Sequence, residues 1–161
     1  MWEYVASLPT PLEKCTVVSL VPAGVRVRRL HVECSYYYQL GIFYDPTSNV
    51  WHELPPMPTA RYCPSACVGS DGWIYVIGGY GSQGSVGCVE AFNPTTKQWL
   101  KKCDIGRLLY GVGTCCMSDK IFVLGGIERT EGENTVDVYD ILLDTWTPSD
   151  SQLPNGPSVI L

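Results

Sequence analysis

Two stretches of the sequence decide the fold: IYVIGGYGSQGSVGCVEAFNPTTKQW at 74–99 and IFVLGGIERTEGENTVDVYDILLDTW at 121–146. Both begin with an apolar run, continue through two adjacent glycines and end at a tryptophan, which stands at the same distance from the second glycine in both. An aromatic residue, Phe92 or Tyr139, stands seven residues before each tryptophan. Because three independent markers keep one spacing, the pattern indicates a structural unit that is repeated along the chain.

The same period extends towards the amino terminus, where Trp51 follows Tyr44 by seven residues. The tryptophans at positions 2, 51, 99 and 146 recur at intervals of about 48 residues. Short apolar runs between the markers predict four strands per unit, and four strands in about 48 residues match the size of one propeller blade. The predicted strands are 65–68, 73–77, 88–92 and one from Trp99 in the second unit, then 111–117, 121–124, 135–139 and 144–147 in the third.

The residue types at the markers suit a blade. Adjacent glycines at a strand end allow positive φ and the close approach of another backbone. The recurring aromatic residues supply large apolar faces that pack between neighbouring sheets. We therefore assign structural roles to Gly78, Gly79, Gly125, Gly126, Tyr44, Phe92, Tyr139, Trp51, Trp99 and Trp146.

The period divides the chain into five parts. Residues 1–7 are predicted to form the outer strand of a missing blade, 8–51 a degenerate first unit, 52–99 the second unit, 100–146 the third, and 147–161 the start of a truncated next unit. The first unit departs from the pattern, because no double glycine stands one period before Gly78. A degenerate blade and a unit rewritten by alternative splicing both fit this departure.

Composition and charge narrow the class of protein. Hydrophobic residues make up 45% of the chain and charged residues 17%, which is typical of a globular protein. The formal net charge of −5 argues against nucleic-acid binding, because phosphate contacts require a basic face. The first residues lack a signal-peptide pattern, and no apolar run is long enough to span a bilayer. We therefore expect a cytoplasmic protein with neither a nucleic-acid nor a membrane partner.

The eight cysteines are interpreted as reduced thiols. Cys67 and Cys115 are separated by one period and so occupy one repeat position, which favours packing of a small side chain over metal or redox chemistry. No CxxC pair occurs among them. The cysteines are Cys15, Cys34, Cys63, Cys67, Cys88, Cys103, Cys115 and Cys116.

Other motifs that are associated with chemistry have simpler explanations. The G-x-G-x-x-G match at 79–84 follows a strand but leads into another strand, whereas a dinucleotide site requires a helix there. His31 and Cys34 offer two metal ligands without a second pair. Glu90 and Asp137 share one repeat position, so we expect structural hydrogen bonds rather than acid–base catalysis. The sequence therefore predicts no catalytic residues, metal or cofactor.

These residues resemble the kelch family. The resemblance rests on 74–99, on 121–146 and on FYDPTSNVWHELPPMPTARY at 43–62, which looks like the join between two kelch blades. It is strong from position 41 to position 146 and closest to kelch-like proteins that pair a BTB domain with a kelch propeller. It implies an all-β fold of four-stranded antiparallel blades, here a propeller fragment of about three blades.

The resemblance implies a protein–protein interaction module rather than an enzyme. Many such proteins recruit substrates to cullin-RING ubiquitin ligases, while others bind actin or the cytoskeleton. A propeller enzyme of the copper-oxidase or sialidase type and a partial product without independent function stay open as well. No segment here resembles a BTB domain, so the chain would recognise a partner without docking a ligase in that way by itself.

The resemblance also indicates where a partner binds. In kelch adaptors, residues after the double glycine and residues that lead into the next blade often line the binding face. The matching positions are Tyr80, Ser82, Gln83, Ile127, Glu128, Arg129, Arg61, Tyr62, Arg107 and Tyr110. Tyrosine and arginine are frequent in binding hot spots, although loops of this kind are equally often only solvated.

The number of units predicts an incomplete ring. Propellers require about 4–8 blades to close, and this sequence provides about three units. The two end blades should then expose apolar faces, and exposed surfaces of that kind mark interfaces or aggregation sites. We therefore expect the chain alone either to be poorly soluble or to self-associate through its end blades.

Overall fold

The computed structural model describes residues 6–7, 16–20, 28–32, 41–45 and 47–153, and within these ranges it consists of β-strands, turns and irregular connections. The first unit contains β1 (Thr16–Leu20), β2 (Arg28–Val32), β3 (Gly41–Asp45) and β4 (Val50–Glu53). The second contains β5 (Ser65–Val68), β6 (Ile74–Ile77), β7 (Tyr80–Gly81), β8 (Gly84–Ser85), β9 (Val89–Asn93) and β10 (Gln98–Lys102). The third contains β11 (Leu109–Tyr110), β12 (Gly113–Met117), β13 (Lys120–Leu124), β14 (Ile127–Glu128), β15 (Glu131–Gly132), β16 (Thr135–Asp140) and β17 (Thr145–Gln152).

The strands form three four-stranded antiparallel sheets, as the sequence predicts. Their orders are β1-β2-β3-β4, β5-β6-β9-β10 and β12-β13-β16-β17. We call these sheets blades one, two and three. The first strand of blade two contacts the first strands of both neighbours, so the blades stand side by side. Blade one is a complete sheet although its sequence lacks the double glycine. Of the predicted parts 1–7 and 147–161, residues 1–5 and 154–161 lie outside the described residues, and most of the remainder of the second part belongs to β17 of blade three.

Two short hairpins interrupt the blades. The hairpin β7–β8 lies between the second and third strands of blade two, and β14–β15 occupies the same place in blade three. The strand β11 pairs with β14, so the segment that leads into blade three becomes part of a three-stranded sheet. No helix in the described part of the chain is long and apolar enough to cross a membrane.

The apolar core lies between the blades. Ile74 and Phe92, on one face of blade two, pack with Phe43 of blade one and with Leu54, which follows β4. On the opposite face, Tyr75 packs with buried and partly buried residues of blade three. Because blade two is covered on both faces, all four residues of β6 are buried.

The repeat tryptophans lie on the outermost strands. Each lies across the strand pair from the aromatic residue seven positions earlier, with ring centroids 5.1 Å apart in blades one and two and 5.2 Å apart in blade three. The indole N–H groups of Trp51, Trp99 and Trp146 donate to the carbonyls of Ala6, Pro55 and Cys103 at 2.9, 2.8 and 2.8 Å. These hydrogen bonds tie the outer strand to the segment that leads into the same blade. The tryptophan residues themselves remain partly exposed.

The double glycine marks the place where the chain of the next unit crosses. Gly78 and Gly79 have φ angles of 64° and 111°. A Cβ atom on Gly78 would stand 2.5 Å from the carbonyl oxygen of Leu109, a distance that real Cβ atoms essentially never show. The N–H of Gly79 donates to that same oxygen at 2.8 Å. The predicted close backbone approach is therefore confirmed.

Candidate functional site

One end of the blades gathers the segments that the sequence singles out. Antiparallel strands alternate in direction, so the connections from second to third strand leave from the same end as the connections between blades. These connections are 54–64, 78–88, 103–112 and 125–134. We call this end the loop face.

Three tyrosines from separate connections meet on the loop face. Tyr62 and Tyr80 exchange backbone hydrogen bonds of 2.9 and 2.8 Å, and their ring centroids lie 5.1 Å apart. The rings of Tyr80 and Tyr110 meet edge to face, with centroids 5.6 Å apart. All three are partly buried. We call them the tyrosine cluster, and it spans the join between blades two and three.

The backbone explains why these rings come together. Tyr80 follows the double glycine at the start of β7, while Tyr62 lies directly opposite it in an isolated bridge. Tyr110 lies in β11, whose first residue, Leu109, accepts a backbone hydrogen bond from Gly79 in the double glycine of blade two. The sequence identified each tyrosine by its repeat position, and the structure shows that they form one surface.

The hairpin tips beside the tyrosine cluster face solvent. Ser82 and Gln83 are exposed at the tip of β7–β8, and Arg129 is exposed at the tip of β14–β15. Ile127 and Glu128 are partly buried at the base of the second hairpin. These residues therefore lie where the sequence places them, on accessible loops of one face.

Arg61 requires a correction, because it is 0% exposed. Its guanidinium forms an ion pair with Glu90 and donates to the carbonyls of Gly78 at 3.2 Å and Cys88 at 3.0 Å. Glu90 also accepts a hydrogen bond of 2.6 Å from the hydroxyl of Thr59. Arg61 therefore holds blade two together instead of lining a binding surface. The structural role expected for Glu90 is confirmed.

Arg107 performs a related task from a different position. Counted by the repeat, Arg107 takes the position of Thr59, while Leu109 takes the position of Arg61 and is buried. The Arg107 guanidinium pairs with Asp137 and donates to the hydroxyl of Thr135 at 2.7 Å. This confirms the structural hydrogen bond expected for Asp137. The Arg107 side chain remains 25% exposed, so it is still accessible from the loop face.

Two further carboxylates surround Arg107. Its Nη1 atom lies 3.7 Å from Glu128 and 3.8 Å from Glu133. Glu131 lies directly opposite Glu128 across the β14–β15 hairpin. Glu131 and Glu133 were not predicted from sequence, because the blade-two hairpin has a glycine and an apolar residue at the same positions.

The buried thiols among the described residues suit packing rather than reaction, whereas Cys103 and Cys115 are exposed, so Cys115 does not share the buried position of Cys67. Burial raises the pKa of the Cys67 thiol to about 12, so the thiol stays protonated at neutral pH. Burial also raises the pKa values of Cys88 and Cys116. The six described cysteines are free, while Cys15 and Cys34 lie outside the described residues. Within the described ranges, no three metal-binding side chains cluster.

Comparison with known proteins now identifies the family. The family model for the Kelch motif matches residues 61–101 and 108–150, just over half of the chain. The chain belongs to the kelch family. The two matched stretches together contain most of blades two and three and the whole tyrosine cluster.

The relatives with kelch names are much longer than this chain. Kelch-like protein 26 of Danio rerio is 32% identical over 73% of this chain and 19% of its own length. The Kelch repeat and BTB domain-containing protein 13 of Homo sapiens is 29% identical over 91% of this chain and 32% of its own. A solved structure of YjhT superposes with a TM-score of 0.81 over 96% of this chain and 56% of that chain, at 16% identity. The chain therefore spans less than a third of the two kelch relatives.

Proposed function

We propose that this chain is the substrate-recognition part of a kelch-type adaptor for a cullin-RING ubiquitin ligase. In this proposal the partner protein binds the loop face. The tyrosine cluster is the observation that carries the proposal, because three partly exposed rings from three connections converge at one join between blades.

Tyrosine is well suited to such a surface. Its ring supplies large contact area with few rotatable bonds, and its hydroxyl tolerates water at the edge of an interface. Tyr80 is fixed by two backbone hydrogen bonds to Tyr62, so little conformational freedom is lost when a partner binds. A prearranged aromatic surface of this kind is typical of a binding hot spot.

The names of the relatives support the adaptor role in the proposal. One of them carries a kelch-like name, and the other is named for a BTB domain as well as for kelch repeats. The parent adaptor would therefore contact the ligase through a segment other than the one described. The free thiols of the described cysteines suit a reducing compartment, which is why we assign the adaptor to the cytoplasm.

The test separates the two binding events in the full-length parent. We would purify it from cells as wild type, as the double variant Tyr80→Ala with Tyr110→Ala, and as Thr96→Ala in the turn that follows β9. We expect a cullin to co-purify with all three proteins. A set of further partner proteins should co-purify only with the wild type and with Thr96→Ala. If no cullin co-purifies with the wild type, the ligase role is rejected. If the double variant retains the same partners, the tyrosine cluster is not the binding site.

A further inference from the structure

The tyrosine cluster has an acidic neighbour. In the small sheet that Tyr110 helps to form, Tyr110 pairs with Ile127, and the adjacent residues Leu109 and Glu128 form the next pair. Tyr110 and Glu128 are therefore diagonal neighbours across this strand pair. The carboxylate of Glu128 lies near the guanidinium of Arg107. The aromatic ring and the carboxylate therefore belong to adjacent positions of one small sheet at the loop face.

On and beside the β14–β15 hairpin, the carboxylates outnumber the cationic side chains. Arg107 and Arg129 supply two positive charges, against carboxylates at Glu128, Glu131, Glu133 and Asp137. Glu128 and Glu131 also face each other across the strand pair, and like charges in that arrangement are destabilising. A positively charged group from outside would relieve this repulsion.

The hairpin itself does not require carboxylates at positions 128 and 131. In the blade-two hairpin the equivalent repeat positions are Gly81 and Gly84, which also pair with each other. That hairpin forms without any charge. The glutamates of blade three are therefore better explained by a ligand than by the architecture of the hairpin.

A cationic side chain suits both parts of the surface. Lysine and arginine are attracted to the faces of aromatic rings, and Tyr80 and Tyr110 present such rings at the loop face. The same side chains pair with exposed carboxylates such as Glu131. Polar complementarity at the edge of an apolar contact gives specificity to protein recognition.

We propose that the loop face selects a segment of a partner protein that presents arginine or lysine beside an apolar residue. The apolar residue packs on the tyrosine cluster, and the basic side chain pairs with the exposed carboxylate of Glu131 on the neighbouring hairpin. This inference rests on the proposed function, because it names the chemistry of the partner for the same face.

The probe is a displayed library of random twelve-residue peptides, selected on the full 161-residue chain. Selected peptides are synthesised with a fluorophore and titrated against wild type, Tyr80→Ala, Glu131→Gln and Asp119→Asn. Asp119→Asn is the matched control, because it removes one exposed carboxylate from the turn between β12 and β13 at the opposite end of blade three. Thermal melting of each variant verifies that it is folded.

We expect the selected peptides to be enriched in arginine or lysine relative to the starting library. Tyr80→Ala should weaken their binding about thirtyfold, as for a hot-spot residue. Glu131→Gln should weaken it about fivefold, as for an exposed ion pair, and Asp119→Asn should leave it unchanged. The effect of Glu131→Gln should shrink at high salt.

Two failures are distinguishable. Peptides that depend on Tyr80 but lack basic residues, or that bind Glu131→Gln as well as wild type, would overturn the inference and leave the proposed function standing. A selection that yields no peptide dependent on Tyr80 would reject the loop face itself, and with it both proposals.

Discussion

Arg61 and Glu90 form a buried ion pair that closes blade two from within. Arg61 comes from the segment that leads into the blade, and Glu90 lies on its third strand. Since Arg61 also donates to the carbonyls of Gly78 and Cys88, one guanidinium joins both ends of the blade-two hairpin connection. The pair fixes the backbone directly beneath Tyr62 and Tyr80.

Replacing Arg61 should therefore destabilise the fold. Arg61→Met leaves the Glu90 carboxylate buried without its charge partner, and loss of one member of a buried pair costs about 3–5 kcal/mol. Arg129→Met, at an exposed hairpin tip, should change the free energy of unfolding by less than about 0.5 kcal/mol. Chemical denaturation of both variants measures the difference. Equal stabilities would show that the pair is not structural.

The repeat tryptophans should contribute through packing and through one hydrogen bond each. Trp99→Phe keeps a ring against Phe92 but loses the N–H donated to Pro55, so we expect a cost of about 1 kcal/mol. Trp99→Ala also loses the packing, so its cost should exceed that of Trp99→Phe and approach the cost of about 3–5 kcal/mol for a fully buried aromatic. Thermal melting ranks the variants. If Trp99→Ala melts like the wild type, the blade interpretation is wrong.

The thiols should differ in reactivity according to burial. Cys103 and Cys115 are exposed and should be alkylated first at pH 8, whereas Cys67 should react only on unfolding. After denaturation without reductant, all eight cysteines should be modified, because we expect no disulfide. Mass spectrometry of digested protein gives the order and the total. A single native cystine would contradict the prediction.

The raised pKa of Cys67 also predicts a loss of stability in alkali. Its pKa is about 12 in the fold against 9.0 for the ordinary thiol, so the folded state favours the protonated form. The contribution is complete below about pH 9 and is lost as the pH rises towards 12. Cys67→Ala should therefore show a smaller decline in stability between pH 8 and pH 10 than the wild type. Identical declines would exclude this thiol as the cause.

Self-association should follow from the outer face of blade three. Phe122 and Val138 share a row on that face and are partly exposed, although Tyr75 and Ala91 at the same repeat positions in blade two are buried by blade three. Light scattering should therefore report oligomers of the chain. Replacing Phe122 and Val138 by lysine should reduce the apparent mass. A wild-type monomer that melts cooperatively would contradict the prediction.

The sequence predicts the blades well because each marker is repeated at a fixed distance. The limits of β5 at 65–68 agree with the prediction, since a buried strand has its own apolar pattern. The two-residue strands of the hairpins were not predicted, because so short an element has no period. Arg61 was misplaced for a different reason. Its burial depends on which carbonyls and carboxylate converge around it, and a single sequence does not reveal that.

The most direct test of protein recognition at the loop face is site-specific photo-crosslinking in cells. A benzophenone amino acid is placed at Gln83 on the loop face, or at Thr96 in the exposed turn at the opposite end of blade two, in the full-length parent. Our account predicts a covalent adduct with a discrete partner protein from Gln83, lost when Tyr80→Ala is added, and none from Thr96. Adducts from Thr96 alone, or adducts from Gln83 that persist with Tyr80→Ala, would contradict it.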